Sequence, residues 1–197
     1  EAANHVLGIE QPHGGYWYPR SGWMRPASIC HALLQHPDIT VIDNTGAVNL
    51  NRVGSTWQAT SATGLLAEST CAVVATGTNA TELNTLSWLP VSKIRGQTSH
   101  LPSNTRFGAL RAVLCHTGYV SPARAAEHCI GATFDIADTD SAIRTADHRY
   151  NLDSLAKAIP AWRDALSEIS ANSLEGRVAY RCASPDYLPL IGPVPDH

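Results

Sequence analysis

The sequence is poor in the features that mark several common classes of protein. Only 16% of its 197 residues are charged, the formal net charge is −3, and no run of like charge occurs. That balance argues against a strongly basic nucleic-acid-binding domain. No apolar stretch approaches the roughly 18–20 residues that span a bilayer, so no membrane partner is expected. With 44% hydrophobic residues, the composition is instead typical of a globular chain with an ample core.

Familiar catalytic and cofactor motifs are also missing. There is no G-x-S-x-G elbow of a hydrolase, no G-x-G-x-x-G dinucleotide loop and no Walker sequence. Cys115-His116 and His128-Cys129 supply metal-ligand types, but their spacing is not that of a zinc site. We therefore predict no metal site. The five cysteines are scattered, without a C-x-x-C, which indicates reduced thiols and a cytoplasmic location.

Hydrophobic periodicity predicts an α+β fold. Helices are predicted over 26–36, 152–159 and 160–166, and strands over 39–42, 47–50, 56–59, 71–77, 93–101, 110–115, 127–134 and 177–182. Short strands, then helices, then a strand again indicate a largely antiparallel or mixed sheet with flanking helices.

Arg181 is the strongest candidate for a functional residue. It lies in RVAYRC, at the end of a predicted strand and among apolar neighbours. A charge held in apolar surroundings requires an anionic partner. The planar guanidinium suits two-point capture of a carboxylate. From the residues alone, a substrate carboxylate and an internal ion pair with one of the chain's 17 acidic residues are equally good partners.

Six motifs occur in order along the chain: GGYWYPRSGWMRP (14–26), ATG (75–77), RGQ (95–97), GYVSP (118–122), IGATF (130–134) and SPDYLPLIGP (184–193). Together they resemble the D-amino-acid-oxidase-like FAD-dependent oxidoreductases, which include glycine and sarcosine oxidases. More narrowly, they resemble the oxidase domains of bifunctional enzymes that modify the wobble uridine of tRNA. The resemblance covers nearly the whole chain.

The resemblance implies that the chain, over its whole length 1–197, is part of a flavin enzyme with two interleaved domains. The stretches that match the substrate domain are 1–38 and 91–182, and those that match the FAD-binding domain are 39–90 and 183–197. The family's βαβ unit, with its phosphate-binding loop, would lie upstream of Glu1. We therefore expect a piece of a longer protein: FAD is the cofactor of the full-length enzyme, and this piece is not expected to hold it alone.

The resemblance also implies roles for individual residues. Arg181 matches the arginine that binds the substrate carboxylate, which favours this partner over an internal ion pair. Trp23 and Arg25 match positions that line the substrate site. The positions that match cofactor contacts are Met24, Val48, Ala75, Thr76, Gly77, Leu190, Ile191 and Gly192. No residue of the chain is assigned as a catalytic acid or base.

The implied reaction is the oxidative removal of the carboxymethyl group from 5-carboxymethylaminomethyluridine at the wobble position, which leaves the aminomethyl form. The tRNA is then the substrate of the full-length enzyme, although a net charge of −3 fits poorly with this piece supplying the main tRNA affinity. Two alternatives stay open: a free-standing glycine- or sarcosine-type oxidase, and a non-catalytic module of oxidase ancestry. A methyltransferase domain upstream, using S-adenosyl-L-methionine, would favour the tRNA enzyme.

Overall fold

The structure, a computed structural model, describes residues 1–107 and 109–194. The helices are α1 (Ala2–Leu7), α2 (Pro26–Leu33), α3 (Thr145–Ala158) and α4 (Arg163–Ser167). The strands are β1 (Asn49–Val53), β2 (Thr56–Ser61), β3 (Gly64–Ser69), β4 (Ser92–Pro102), β5 (Leu114–Cys115), β6 (Tyr119–Val120), β7 (Glu127–Gly131), β8 (Asp135–Ile136) and β9 (Glu175–Ala183). Short 3-10 helices cover Gly77–Glu82, Asn84–Leu86, Pro160–Trp162 and Ala171–Ser173.

The chain divides into two units. Unit 1 comprises Glu1–Trp23 and Ser92–Arg181, and unit 2 comprises Met24–Val91 and Cys182–His197. The first border follows residue 23, whereas the sequence prediction places a border after residue 38. The end of the second predicted FAD-domain segment, residues 195–197, lies outside the described residues. The assignment of these stretches to a substrate and an FAD-binding domain stays a prediction.

Unit 1 is built on a sheet with the strand order β5-β6-β7-β4-β8, in which β9 also pairs with β4. β4 pairs antiparallel with β8 near its start, at Ile94 and Arg95, and with β7 from Thr98 to Pro102. Of the strands predicted over 110–115 and 127–134, only Leu114–Cys115 (β5) and Glu127–Gly131 (β7) form, and β6 lies between them and pairs antiparallel with each. The predicted α+β class with antiparallel strands and flanking helices is confirmed.

The core of unit 1 lies against one face of this sheet, which we call the inner face. Leu152 and Leu155 on α3, and Ile159 at its C-cap, are almost completely buried, as their helical spacing predicts. From the sheet, Leu101 and Ile130 join the same cluster. Burial of one such side chain contributes about 1.5–3 kcal/mol, so the sheet and α3 stabilise each other.

Arg95 is a charged residue within this buried layer, with no exposed side-chain surface. Its Nη1 donates to Asp147 Oδ2 on α3 at 2.6 Å. Its Nε donates to the carbonyl of Asp140 at 2.8 Å, and its Nη2 donates to the carbonyl of Ala142 at 2.7 Å. The guanidinium therefore joins β4, the loop before α3 and the first turn of α3. A buried charge with this many partners is compensated.

Gln97 and Ser99 continue the row of buried polar residues along β4. The Gln97 side chain donates to the carbonyl of Arg144 and accepts from its backbone N–H, both at 2.8 Å. Ser99 Oγ lies 2.7 Å from His148 Nδ1 and accepts a hydrogen bond from Asn151. These contacts fix the start of α3 against β4, because buried polar groups are costly to leave unpaired.

Unit 2 contains α2 and the antiparallel sheet β1-β2-β3. The strands predicted over 39–42 and 71–77 are wrong: neither stretch is a strand, and Val73 is 88% exposed. A strand buried on both faces needs paired neighbours and a covering layer. No described strand pairs with residues 71–76. Among the described residues, no helix has the length and apolarity that a membrane crossing requires.

Asp147→Ala tests how much unit 1 depends on the Arg95 contacts. The substitution leaves a buried guanidinium without its nearest carboxylate, and breaking a buried pair in this way destabilises a fold by about 3–5 kcal/mol. We expect a loss of this size in the free energy of unfolding, measured by urea denaturation. Asp153→Ala is the matched control, because Asp153 is exposed on the same helix. Equal losses in both variants would contradict the assignment.

The stability of the protein is expected to decrease in mild acid through His148. Burial lowers the pKa of His148 below its usual value of 6.5, and its Nε2 has no hydrogen-bond partner among the described residues. The neutral ring is therefore favoured in the folded state. Its contribution is complete above about pH 6.5 and is lost as the pH falls toward the lowered pKa of the folded state.

Denaturation of the unaltered protein and of His148→Gln, at about pH 7.5 and about pH 5.5, measures this contribution. The variant should lose less stability between the two pH values. His13→Gln, at an exposed position, should behave like the unaltered protein. An unchanged pH dependence in His148→Gln would show that another group is responsible.

Candidate functional site

The face of the unit 1 sheet opposite the core, the outer face, carries the candidate site. Side chains alternate along a strand, so the burial of Arg95, Gln97 and Ser99 on the inner face turns the residues between them outward. The strand register then places these outward positions side by side. The outer face is formed by Gly96, Thr98, His100, Tyr119, Cys129, Gly131 and Arg181.

Arg181 extends from β9 over the position of Gly96 on β4. A Cβ atom at residue 96 would stand 2.7 Å from Arg181 Nη1 and 3.1 Å from the carbonyl oxygen of Thr133. Only glycine leaves room for the guanidinium there, since real Cβ contacts are not this short. Gly96 thus explains how an arginine can lie flat against a sheet.

Two contacts orient the Arg181 guanidinium. Nη1 lies 3.4 Å from the carbonyl of Thr133, to which it donates, and Cζ lies 5.3 Å from the centre of the Phe134 ring. The second distance is that of a cation–π contact. An arginine has five N–H donors, so most of them remain available to a ligand. Sequence reasoning missed Thr133 and Phe134 as site residues, although both lie in the IGATF motif.

The surroundings of Arg181 differ from those that the sequence predicts. Arg181 is exposed rather than enclosed in apolar surroundings, so burial does not force it to pair with an anion. Within residues 1–107 and 109–194, no carboxylate lies at ion-pair distance from its guanidinium. An internal ion pair is instead formed by a different arginine, Arg95 on the inner face, with Asp147.

Tyr119 is a second polar group of the outer face, and sequence reasoning did not single it out. Its hydroxyl lies 3.5 Å from Cys129 Sγ. Burial, and then the hydrogen bond and charge of Cys129, raise the pKa of Tyr119 well above its usual value, while the charge of Arg181 lowers it. At neutral pH the site therefore offers a cation and a neutral hydroxyl donor, which together suit a carboxylate.

Of the other predicted site residues, only Trp23 lies in unit 1 with Arg181. Trp23 is partly exposed, and no hydrogen bond or ring contact joins it to Arg181 in the described part of the chain. Arg25 precedes α2 as its N-cap residue in unit 2. The remaining predicted residues in unit 2 are Met24, Val48, Ala75, Thr76, Gly77, Leu190, Ile191 and Gly192.

Comparison with known families identifies the class of protein. The profile of the family described as DAO, FAD dependent oxidoreductase, matches residues 1–197, so the chain belongs to this family. The family membership predicted from the sequence motifs is confirmed.

The curated relatives are more specific. Over 201 residues the chain is 41% identical to the tRNA 5-methylaminomethyl-2-thiouridine biosynthesis bifunctional protein MnmC of Stutzerimonas stutzeri, an alignment that covers 100% of this chain and 30% of the relative. It is 39% identical over 197 residues to the protein of the same name from Pseudomonas putida strain F1, covering 98% of this chain and 30% of that protein. The chain thus spans about 30% of the length of these relatives.

Solved structures show the same fold. Glycine oxidase from Bacillus cereus superposes with a TM-score of 0.59 at 18% identity, covering 74% of this chain and 40% of that protein. Iminodiacetate oxidase from a Chelativorans species superposes with a TM-score of 0.54 at 18% identity, covering 71% and 37%. At this identity the likeness establishes the fold.

Some of the residues predicted to contact FAD have exposed backbone that a dinucleotide could approach. At Gly77 the backbone is exposed with a φ of 58°, and no atom lies within 4 Å of the place a Cβ would occupy. Gly192 is equally unobstructed. Backbone without a side chain can approach a ligand closely, as a cofactor-binding segment requires. Ala75 and Thr76 lead directly into Gly77 and are also exposed.

Gly96→Ala tests the space that Arg181 occupies. The added methyl group would displace the guanidinium, and displacements of about 1 Å at a binding group cost up to about 100-fold in function. We expect roughly tenfold weaker binding of a small carboxylate such as N-methylglycine, measured by perturbation of the flavin spectrum in the FAD-loaded full-length protein. The free energy of unfolding should change by less than about 1 kcal/mol, because the nearest atom belongs to a flexible side chain.

Gly14→Ala is the matched control for this experiment. Nothing lies within 4 Å of a Cβ at residue 14, and its φ is not in the left-handed region. Its carboxylate affinity should equal that of the unaltered protein. Equal affinity in Gly96→Ala would instead show that Arg181 does not bind the carboxylate from its position over residue 96.

Proposed function

We propose that the protein is an FAD-dependent oxidase that removes the carboxymethyl group from 5-carboxymethylaminomethyluridine at the wobble position of tRNA, leaving the aminomethyl form. The observation that carries the proposal is the exposed Arg181 guanidinium. It is oriented by Thr133 and Phe134 and has no carboxylate partner within the described residues. Such a group suits two-point binding of an N-carboxymethyl arm.

The names of the relatives support a substrate of this kind. The MnmC proteins are named for the biosynthesis of 5-methylaminomethyl-2-thiouridine in tRNA. The proteins with solved structures are named for glycine and iminodiacetate. Glycine, iminodiacetate and a carboxymethylaminomethyl group all contain nitrogen, one methylene carbon and a carboxylate in sequence. A carboxylate-binding arginine is therefore useful for every one of these compounds.

The contribution of this chain is to bind and orient the substrate. Arg181 holds the carboxylate, and Tyr119 donates a hydrogen bond from a hydroxyl that stays neutral at physiological pH. A carboxylate fixed in this way also fixes the methylene group beside it, which is the group that is oxidised. FAD, when bound, supplies the chemistry by accepting a hydride. Hydrolysis of the resulting imine releases the two-carbon unit as an aldehyde acid and leaves the primary amine.

We assign the cofactor contacts to residues of unit 2. The backbone from Ala75 to Gly77 and around Gly192 is exposed and unobstructed, which supports this assignment. Trp23 and Arg25 are assigned to the lining of the substrate site, as their match to the family motif suggests.

A free glycine- or sarcosine-type oxidase is the second candidate, and the fold shared with glycine oxidase favours it. The two candidates differ in the group that the substrate amine bears: a uridine base in the first, and only hydrogen or a methyl group in the second. The FAD-loaded full-length protein, mixed anaerobically with 5-carboxymethylaminomethyluridine or with glycine, should show flavin reduction with the nucleoside and little with glycine. The reverse preference would favour the second candidate, and no reduction by either compound would favour a non-catalytic module.

Arg181→Lys tests the assigned carboxylate contact. Lysine keeps the charge but loses the two-point geometry, and one charge-assisted hydrogen bond contributes about 1.5–3 kcal/mol. We therefore expect kcat/KM for the carboxymethylaminomethyl substrate to fall about 10- to 100-fold, measured by steady-state release of the aldehyde acid.

Arg177→Lys is the matched control, because Arg177 is exposed on β9 four residues earlier and on the same face of the strand. Its kcat/KM should stay within about twofold of the unaltered protein, as expected for an exposed charge away from the substrate. Unchanged turnover in Arg181→Lys would refute the carboxylate-binding role.

A further inference from the structure

A short segment of unit 1 exposes an unusual number of aromatic side chains. Tyr16, Trp17, Tyr18 and Trp23 are 93%, 55%, 66% and 44% exposed. We call residues 16–23 the aromatic segment. Large aromatic side chains normally contribute to a core, and a concentration of exposed apolar surface marks an interaction site.

A hydrogen bond fixes the chain just before the aromatic segment, and a turn shapes the segment itself. Just before it, the Gln11 side chain donates to the carbonyl of Ala158 at 2.8 Å. Within it, the backbone N–H of Ser21 donates to the carbonyl of Tyr18 at 2.9 Å, which closes a turn through Pro19 and Arg20. Proline at the second position pre-forms such a turn, so less conformational entropy is lost on binding.

The aromatic rings have few specific partners among the residues that the structure describes. Over the residues that the structure describes, the side chains of Tyr16, Trp17 and Tyr18 form no hydrogen bond, ion pair or ring contact. Arg20, between them and Trp23, likewise has no ion-pair partner in that part of the chain. The rings and the guanidinium are therefore available to a ligand.

The local charge selects the kind of ligand. Residues 11–37 contain two arginines and neither aspartate nor glutamate, although the whole chain has a net charge of −3. Aromatic rings next to arginine, without acidic residues, suit unpaired nucleotides: the rings stack on bases and the guanidinium contacts phosphate or stacks in turn. Base-paired RNA offers no exposed base faces for such stacking.

We propose that the aromatic segment binds unpaired RNA nucleotides by stacking, as in the loop that carries a wobble uridine. This inference rests on the proposed function, because it assumes an RNA substrate. It also removes a difficulty with the net charge. Stacking contributes affinity without a basic surface, so an acidic chain can recognise the loop while the paired stem is bound elsewhere.

The test uses a fluorescein-labelled RNA hairpin with a seven-nucleotide unpaired loop and, for comparison, the same stem closed by a compact four-nucleotide loop. Binding to the full-length protein is measured by fluorescence anisotropy. Stacking of each base is lost on alanine substitution, so Tyr16→Ala/Trp17→Ala should bind the seven-nucleotide loop about 5- to 100-fold more weakly. Arg20→Ala should reduce the salt dependence of log Kd by about 0.7, the value of one phosphate contact in single strands.

Two further variants separate stacking from a general defect. Tyr16→Phe/Trp17→Phe keeps the rings and should bind the loop almost as tightly as the unaltered protein. Tyr150→Ala removes an exposed aromatic side chain from α3 and should leave binding unchanged. Equal affinity of the double alanine variant and the unaltered protein, or equal loss in Tyr150→Ala, would overturn the inference. So would a change of oligomeric state in the double alanine variant, seen by sedimentation, because the segment would then be a contact between copies of the chain.

A separate measurement, the oxidation of the free nucleoside by the unaltered protein, distinguishes failure of this inference from failure of the proposed function. If the nucleoside is oxidised but the aromatic segment does not affect loop binding, the inference fails and the proposed function stands. If the nucleoside is not oxidised and neither hairpin binds, the proposed function fails and the inference fails with it.

Discussion

The guanidinium of Arg95 lies at the centre of unit 1, and the arrangement of the sheet depends on its contacts. It binds Asp147 on α3 and the backbone carbonyls of Asp140 and Ala142 in the loop before that helix. A charge placed there without these partners would be very costly. A shift of β4 by one residue would turn Arg95 away from α3 and every other side chain of the strand with it. The buried ion pair therefore helps to specify which residues form the inner face and which form the outer face.

The two faces use arginine in opposite ways. On the inner face, Arg95 is fully buried and pairs with carboxylate and carbonyl oxygens of the protein. On the outer face, Arg181 is exposed and contacts one carbonyl and one aromatic ring. The first arrangement stabilises the fold, because its donors are occupied. The second leaves donors for a ligand at a position that Gly96 keeps open. The number of hydrogen-bond donors that the protein already occupies, rather than the residue type, distinguishes a structural arginine from one that can bind a substrate.

The proposed oxidase function and the aromatic segment concern two parts of one substrate. A carboxylate is a small, charged group that an arginine and a neutral hydroxyl can hold in one orientation. An unpaired loop is larger and is recognised by stacking with little dependence on sequence. The two kinds of recognition need different surfaces, and our proposals assign both to unit 1. The chain's low charge is then no obstacle to an RNA substrate, because orientation at the reacting group and attraction to phosphate are separate tasks.

Much of unit 1 was predictable from the sequence, since it follows from local periodicity. The spacing of Leu152, Leu155 and Ile159 predicted the buried face of α3, and β4 and β9 extend over the strands predicted at 93–101 and 177–182. The order of the motifs was sufficient to predict the family. The stretch 71–77 was predicted wrongly, because an apolar run indicates a buried strand only where other strands pair with it.

What the sequence by itself determined is therefore the family, the α+β class and the inventory of candidate residues, all of which depend on short-range pattern. The tertiary structure decided which arginine is neutralised within the protein and which remains available. Asp147 reaches Arg95 across 52 positions of the chain, and Thr133 reaches Arg181 across 48. Local pattern contains no information about contacts at such separations. They are set when β4, β9 and α3 pack together, because only then does each polar group meet, or fail to meet, a partner.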